Sequence, residues 1–240
     1  MRMATTSFLE GVFPVRCVGC DLPFVWLCAS CEGSCIFLHE ACPVGRSTAT
    51  LSRIFACSWY AHPVWQRLIR AIKFEQIHEL TPILIRLVTR WRDAHTEWSW
   101  GTGAGYTLVG IPTNPRHIQE RGRDHAMVWY QVMQSLLPEA VSCFGLVRRE
   151  ESSEAHARLT LEASRLAAAR EVFTVAGPVP ERVILCDDVY TTGATMQTLA
   201  RQFVQRGARE VGGLVAAWAG GGASLGERRS VANMGEIVYE

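Results

Sequence analysis

The densest chemistry in the chain lies in Val183-Ile184-Leu185-Cys186-Asp187-Asp188-Val189-Tyr190-Thr191-Thr192-Gly193-Ala194-Thr195. The adjacent carboxylates of Asp187 and Asp188 can accept from hydroxyl groups or face a hard cation, which prefers oxygen ligands. The turn Thr191, Thr192, Gly193, Ala194, Thr195 supplies hydroxyls, and Gly193 lets the backbone turn tightly and approach a ligand. A helix opening from that turn would add unpaired N–H groups and a positive dipole end, which is the chemistry of phosphate binding. Side by side, the two features would hold a molecule with phosphate at one end and hydroxyls or a metal at the other. The plainer reading is a strand end followed by a capped helix, where Asp and Thr are common anyway.

A second group is at the other end. Seven of the nine cysteines precede residue 60. Cys17-x2-Cys20 and Cys28-x2-Cys31 are two hooks that can supply four thiolates to a tetrahedral ion, and zinc is the metal that geometry suits. Cys35, Cys42 and His39 are near enough to replace one of the four. A disulfide framework is the rival reading, and it fits poorly with a chain that starts without a secretion signal. Zinc would contribute folding energy, on the order of 10 kcal/mol, that about 40 residues of thin core cannot.

The elements around these groups follow from periodicity. Val183 to Cys186 reads as a short buried strand carrying the acids at its end. Met196, Leu199, Ala200, Phe203 and Val204 recur at helical spacing. Gly207 ends that helix, and Val211 to Trp218 is the next strand. Strand, helix and strand in about 35 residues make a βαβ unit and predict a parallel sheet, whose ligands bind at the carboxyl ends of its strands. Upstream, Tyr106 to Ile111 is a buried strand stopped by Pro112. The segment from Pro112 to Ala126 carries Arg116, His117, Arg121, Arg123 and His125. Arginine forks match phosphate oxygens, so Arg116 and Arg121 are candidates for holding a second phosphate group, with a surface basic cluster as the alternative. Ala126 to Leu137 is a helix. Two helices are expected between Ala61 and Arg92. Residues 43–57 read as a polar linker, and 150–171 as a mobile lid or a plain surface helix.

A hydrophobic content of 48% and a charged content of 20% describe an ordinary globular chain, and a net charge of +1 removes any global electrostatic case for nucleic acid or membrane. No apolar run reaches the roughly 18 residues of a membrane span, and Met1 to Glu10 lack the pattern of a signal peptide. The expectation is a cytoplasmic protein without membrane insertion. Its basic residues are 23 arginines and one lysine, Lys73. Lys73 is either a solvated helix end or a cation facing the ligand.

The acid pair and loop, Asp-Asp-Val-Tyr-Thr-Thr-Gly-Ala-Thr, resemble the phosphoribosyl pyrophosphate (PRPP) motif of type I phosphoribosyltransferases. With the amino-terminal cysteines, Ile72-Lys73-Phe74, Ile111-Pro112 and Glu120-Arg121-Gly122 in the same order, the chain resembles the competence protein F (ComF) family from about Cys17 to Trp218. The resemblance implies a type I phosphoribosyltransferase-like α/β fold, a parallel sheet flanked by helices in residues 60–240, behind a zinc-binding segment in residues 1–45. It implies that Asp187 and Asp188 hold the ribose hydroxyls, that Thr191 to Thr195 wrap the 5′-phosphate, and that Arg116 and Arg121 face the pyrophosphate. It also implies Mg²⁺ with PRPP, structural Zn²⁺ on Cys17, Cys20, Cys28 and Cys31, phosphoribosyl transfer, and a role in DNA uptake during competence. The alternative is an inactive module of this fold that binds single-stranded nucleic acid or a DNA-uptake or recombination partner. The chain departs from the family at Arg123-Asp124-His125, where the family reads Phe-Asn-Gln, and in the segment after Arg149.

Overall fold

The computed structural model describes residues 14–39, 41–42, 50–75, 77–95, 97–115, 118–119, 122, 124–149 and 173–219. Five parallel strands form its centre: β1 (Ile54–Trp59), β2 (Thr107–Gly110), β3 (Val141–Ser142), β6 (Arg182–Tyr190) and β7 (Glu210–Trp218). They lie in the order β1-β7-β6-β2-β3, while β4 (Val147–Arg149) and β5 (Phe173–Val175) pair antiparallel as a separate ribbon.

Strand alternation divides the core in two. Phe55, Leu108, Ile184 and Leu214 point to one face, and Ile54, Val109, Leu185 and Val215 to the other. Three helices cover the first face: α2 (Pro63–Arg70), α3 (Thr81–Ala94) and α4 (His125–Gln134). In α3, Leu84, Leu87, Val88 and Trp91 repeat at i, i+3, i+4 and i+7, one stripe of a helix, and all four are buried. Pro63 opens α2, where its missing N–H would have had no partner, and the His62 ring accepts from the Trp65 N–H. The second face is covered by α5 (Ala194–Gln205), through Met196, Leu199, Ala200 and Phe203. Right-handed crossovers account for the split. From β2 the chain steps through α4 to β3, and from β6 it steps the opposite way through α5 to β7, so the two helices land on opposite faces.

Three expectations need correction. The linker expected over residues 43–57 ends in β1, an edge strand paired with β7 from Ile54 to Trp59. The strand that carries the acids does not stop at Cys186; it runs on through Asp187 and Asp188 to Tyr190. Between α2 and α3 the chain does not pass directly from helix to helix but makes a π-helical turn (Ala71–Glu75) and a short 3-10 turn (His78–Leu80). Trp65, Trp91 and Trp100 are core residues; Trp91, Trp98 and Trp100 meet edge-to-face around Phe55. Among the described residues no helix is long and apolar enough to cross a membrane. The segment 150–171 lies outside the described residues.

Candidate functional site

The carboxyl ends of β2 and β6 lie side by side at the point where the connections diverge, the place where open α/β sheets leave a crevice for ligands. A cavity of about 250 Å³ sits there. Its walls include Pro112, Thr113 and Asn114 after β2, His125 on α4, Arg149 on β4, Asp187 and Asp188 on β6, and Thr195 on α5.

Alternation along β6 gives each acid its own surroundings. Asp188 shares the face of Ile184 and Cys186. Its buried carboxylate accepts from Lys73 Nζ at 2.8 Å through Oδ2, with His125 Nε2 at 3.8 Å from the same oxygen. Oδ1 turns inward and accepts from the Val189 N–H at 2.7 Å. Asp187 lies on the other face, and Arg149 of the ribbon lines the same cavity and feels its charge. Removal from water, reinforced by the charge of Asp188, pushes the Asp187 carboxyl up to about 8. The Asp188 N–H donating to Asp187 at 2.8 Å and the charge of Lys73 oppose that rise without cancelling it. Arg149 lies 5.0 Å from the Phe173 ring centroid, and its buried Nε has no hydrogen-bond partner among the described residues. Burial pulls its guanidinium below the usual arginine range, and Asp187 pulls it back up.

The turn after β6 is built for a close approach. Gly193 adopts φ 73°, in the left-handed region, and a Cβ there would collide with the hydroxyl end of Tyr190. The Tyr190 ring is itself fixed, stacked on Trp218 at 4.7 Å. Thr191 and Thr192 are exposed, and Ala194 and Thr195 begin α5 beside the cavity. Asp124 caps α4 by accepting from the Ala126 N–H and ties the helix to the β2 turn by accepting from Thr113 at 2.6 Å. Arg116 and Arg121 lie outside the described residues.

The second site is the cysteine cluster. Cys17, Cys20, Cys28 and Cys31 bring their sulfurs within 4.8 Å of one another, with Cys20 and Cys28 at 3.6 Å. A tetrahedral zinc–thiolate centre with 2.3 Å bonds has sulfur–sulfur edges of about 3.8 Å, so four such cysteines can bind a metal such as zinc. Cys28 caps α1 (Ala29–Gly33), and its sulfur accepts from the Cys31 N–H. Gly19 completes the first hook, since a Cβ there would lie 2.5 Å from the Cys31 sulfur. Burial disfavours a Cys17 thiolate, but N–H groups of Cys28, Gly19 and Cys20 outweigh it and hold the thiol down to about 6. Cys31 is pushed strongly up by burial and by the neighbouring thiols. Such a conflict is what a shared cation relieves. Cys35 donates to the Cys31 carbonyl and Cys42 is buried in the opposite core, so neither joins the cluster. The segment is fastened to α3 by Glu32, which accepts from Arg86 at 2.9 and 2.7 Å, and by the Trp91 indole donating to the Leu38 carbonyl.

No protein-family model matches the chain, and no curated protein matches it. Lys73 was legible in the sequence only as one of two alternatives, and Arg149 was not singled out at all. The usable signals were the uniqueness of Lys73 in an arginine-rich chain and a basic pair directly before a polar segment.

Proposed function

We propose that the chain is a phosphoribosyltransferase-like protein of the competence protein F kind, which binds PRPP with Mg²⁺ and transfers its phosphoribosyl group. One observation carries this reading: the acid pair and the phosphate-type turn flank a single cavity at the switch point of a parallel sheet. In this reading Asp187 and Asp188 orient the ribose hydroxyls. The turn Thr191 to Thr195, with the opening N–H groups of α5, receives the 5′-phosphate. Arg149, together with Arg116 and Arg121, faces the pyrophosphate.

The bond between ribose C1 and the pyrophosphate oxygen breaks as a bond from C1 to the acceptor forms. Positive charge spreads over C1 and the ring oxygen, as in glycoside chemistry. Fixed carboxylates near the ring and fixed cations near the leaving group favour that charge distribution without reorganising. The donor set fits a hard cation: the oxygens of Asp187 and Asp188 line the cavity, and Asp187 holds a proton that a cation would displace. Bound there with the substrate, Mg²⁺ would supply neutralisation of the pyrophosphate. Zinc on Cys17, Cys20, Cys28 and Cys31 has a structural role, since four thiolates leave no open position. DNA uptake is the cellular setting that accompanies the family resemblance.

Phosphorus NMR of PRPP and Mg²⁺ incubated with the protein and a panel of nitrogen bases tests transfer. Pyrophosphate appearing with the wild type and not with Asp188→Asn supports it. Unchanged PRPP across the panel favours the inactive module. That second reading has its own observation. A groove of about 890 Å³ beside the cysteine cluster is lined by Arg16, Arg67, Arg70 and Trp26. Single strands are held by such pairings of arginine and aromatic surface, with steep salt dependence.

A further inference from the structure

Resting on the PRPP reading above, we infer that Lys73 is a ligand-exchanged cation, which covers Asp188 in the empty site and turns to the pyrophosphate when the ribose hydroxyls take that carboxylate. The geometry sets up a competition of this kind. Asp188 Oδ1 already accepts from the Val189 N–H at 2.7 Å, which leaves Oδ2 as the less engaged oxygen toward the cavity. Lys73 Nζ occupies Oδ2 at 2.8 Å. A ribose diol that takes both of its hydrogen bonds on Oδ2 competes with the ammonium for that oxygen's two lone pairs. Lys73 is free to move: its side chain is 31% exposed, against 9% for Asp188, and both line the same cavity. Its backbone belongs to a π-helical turn, an irregularity frequent at functional sites.

The residue type fits the role. All 23 other basic side chains outside the histidines are arginine, and this one is lysine. A guanidinium would grip the carboxylate with a two-pronged fork, whereas an ammonium is a compact charge on a flexible stem that changes partners readily. The displaced ammonium would then stand beside a ligand carrying several negative charges, in a cavity that Arg149 also lines. A plain structural role would instead keep the Lys73–Asp188 pair intact with ligand present.

Because the chain has a single lysine, amine chemistry reports on it alone apart from the terminal amine. Reductive methylation with ¹³C-formaldehyde gives Lys73 a dimethyl-ammonium resonance. Titration with PRPP and Mg²⁺ should shift that resonance, with a midpoint equal to the dissociation constant from calorimetry. Lys73→Met should weaken PRPP binding at least tenfold. PRPP binding that leaves the resonance in place, or a Lys73→Met affinity within twofold of wild type, overturns the exchange and leaves the PRPP site standing. No PRPP binding by unmodified wild type overturns the PRPP reading itself, and this inference with it.

Discussion

Asp187→Asn should make the protein more stable, and by an amount that grows with pH. In the unfolded chain this carboxyl ionises near 3.8, whereas burial and Asp188 hold its proton to about pH 8 in the fold. Between those values the folded state binds one proton more than the unfolded state. Stability therefore falls as pH rises across that window, is unaffected by this group below it, and carries the full penalty above it. One proton corresponds to about 1.4 kcal/mol per pH unit, so the interval from pH 5 to pH 8 amounts to about 4 kcal/mol at most. Relaxation at the open cleft and the nearby Lys73 and Arg149 reduce this to about 2–3 kcal/mol, or roughly 5–10 °C in melting temperature for a chain of this size. Asparagine keeps the oxygen that accepts from the Asp188 N–H and removes the charge. Thermal unfolding of both proteins at pH 5, 6, 7 and 8 is the assay. Comparing the two proteins at each pH cancels the shared groups that do not interact with Asp187. A melting-temperature gain that stays flat or shrinks from pH 5 to pH 8 would refute the reasoning.

Other expectations concern the metal, the turn and the edge strand. Cys20→Ser should lose its zinc and unfold at lower temperature, whereas Cys35→Ser should retain one zinc per chain by elemental analysis. Gly193→Ala should cost roughly 1–3 kcal/mol from the left-handed backbone alone. Its Cβ would also meet Tyr190, so calorimetry should show PRPP affinity reduced at least tenfold. Phe55→Ala should destabilise by about 3–5 kcal/mol in chemical denaturation, because the ring is fully buried. A chain beginning at residue 60 lacks β1 and should fail to give a cooperative unfolding transition.

The parts that were legible in the sequence are those whose physics is local. The helix from Ala194 to Gln205 announces itself by spacing, the turn before it by Gly193 and its threonines, and the cysteine hooks by their two-residue gaps. β1 escaped because Ile54-Phe55-Ala56-Cys57-Ser58-Trp59 is buried on both faces. A strand of that kind has no alternation, and a polar stretch precedes it. The reach of β6 past Cys186 escaped because two carboxylates do not read as strand. Their place there is set by pairing with β7, in which Asp187 stands opposite Val215. The contact between Lys73 and Asp188 joins residues 115 positions apart. Only the sheet order, which carries α2 and the π-helical turn over the end of β6, brings them together.

The central claim is that this cleft binds PRPP through the acid pair. Isothermal titration of PRPP and Mg²⁺ into wild type and into Asp187→Asn/Asp188→Asn tests it most directly. The account predicts one site per chain in the wild type, with micromolar affinity, and no measurable binding in the double variant. Equal binding by the two proteins, or none by the wild type, would contradict it.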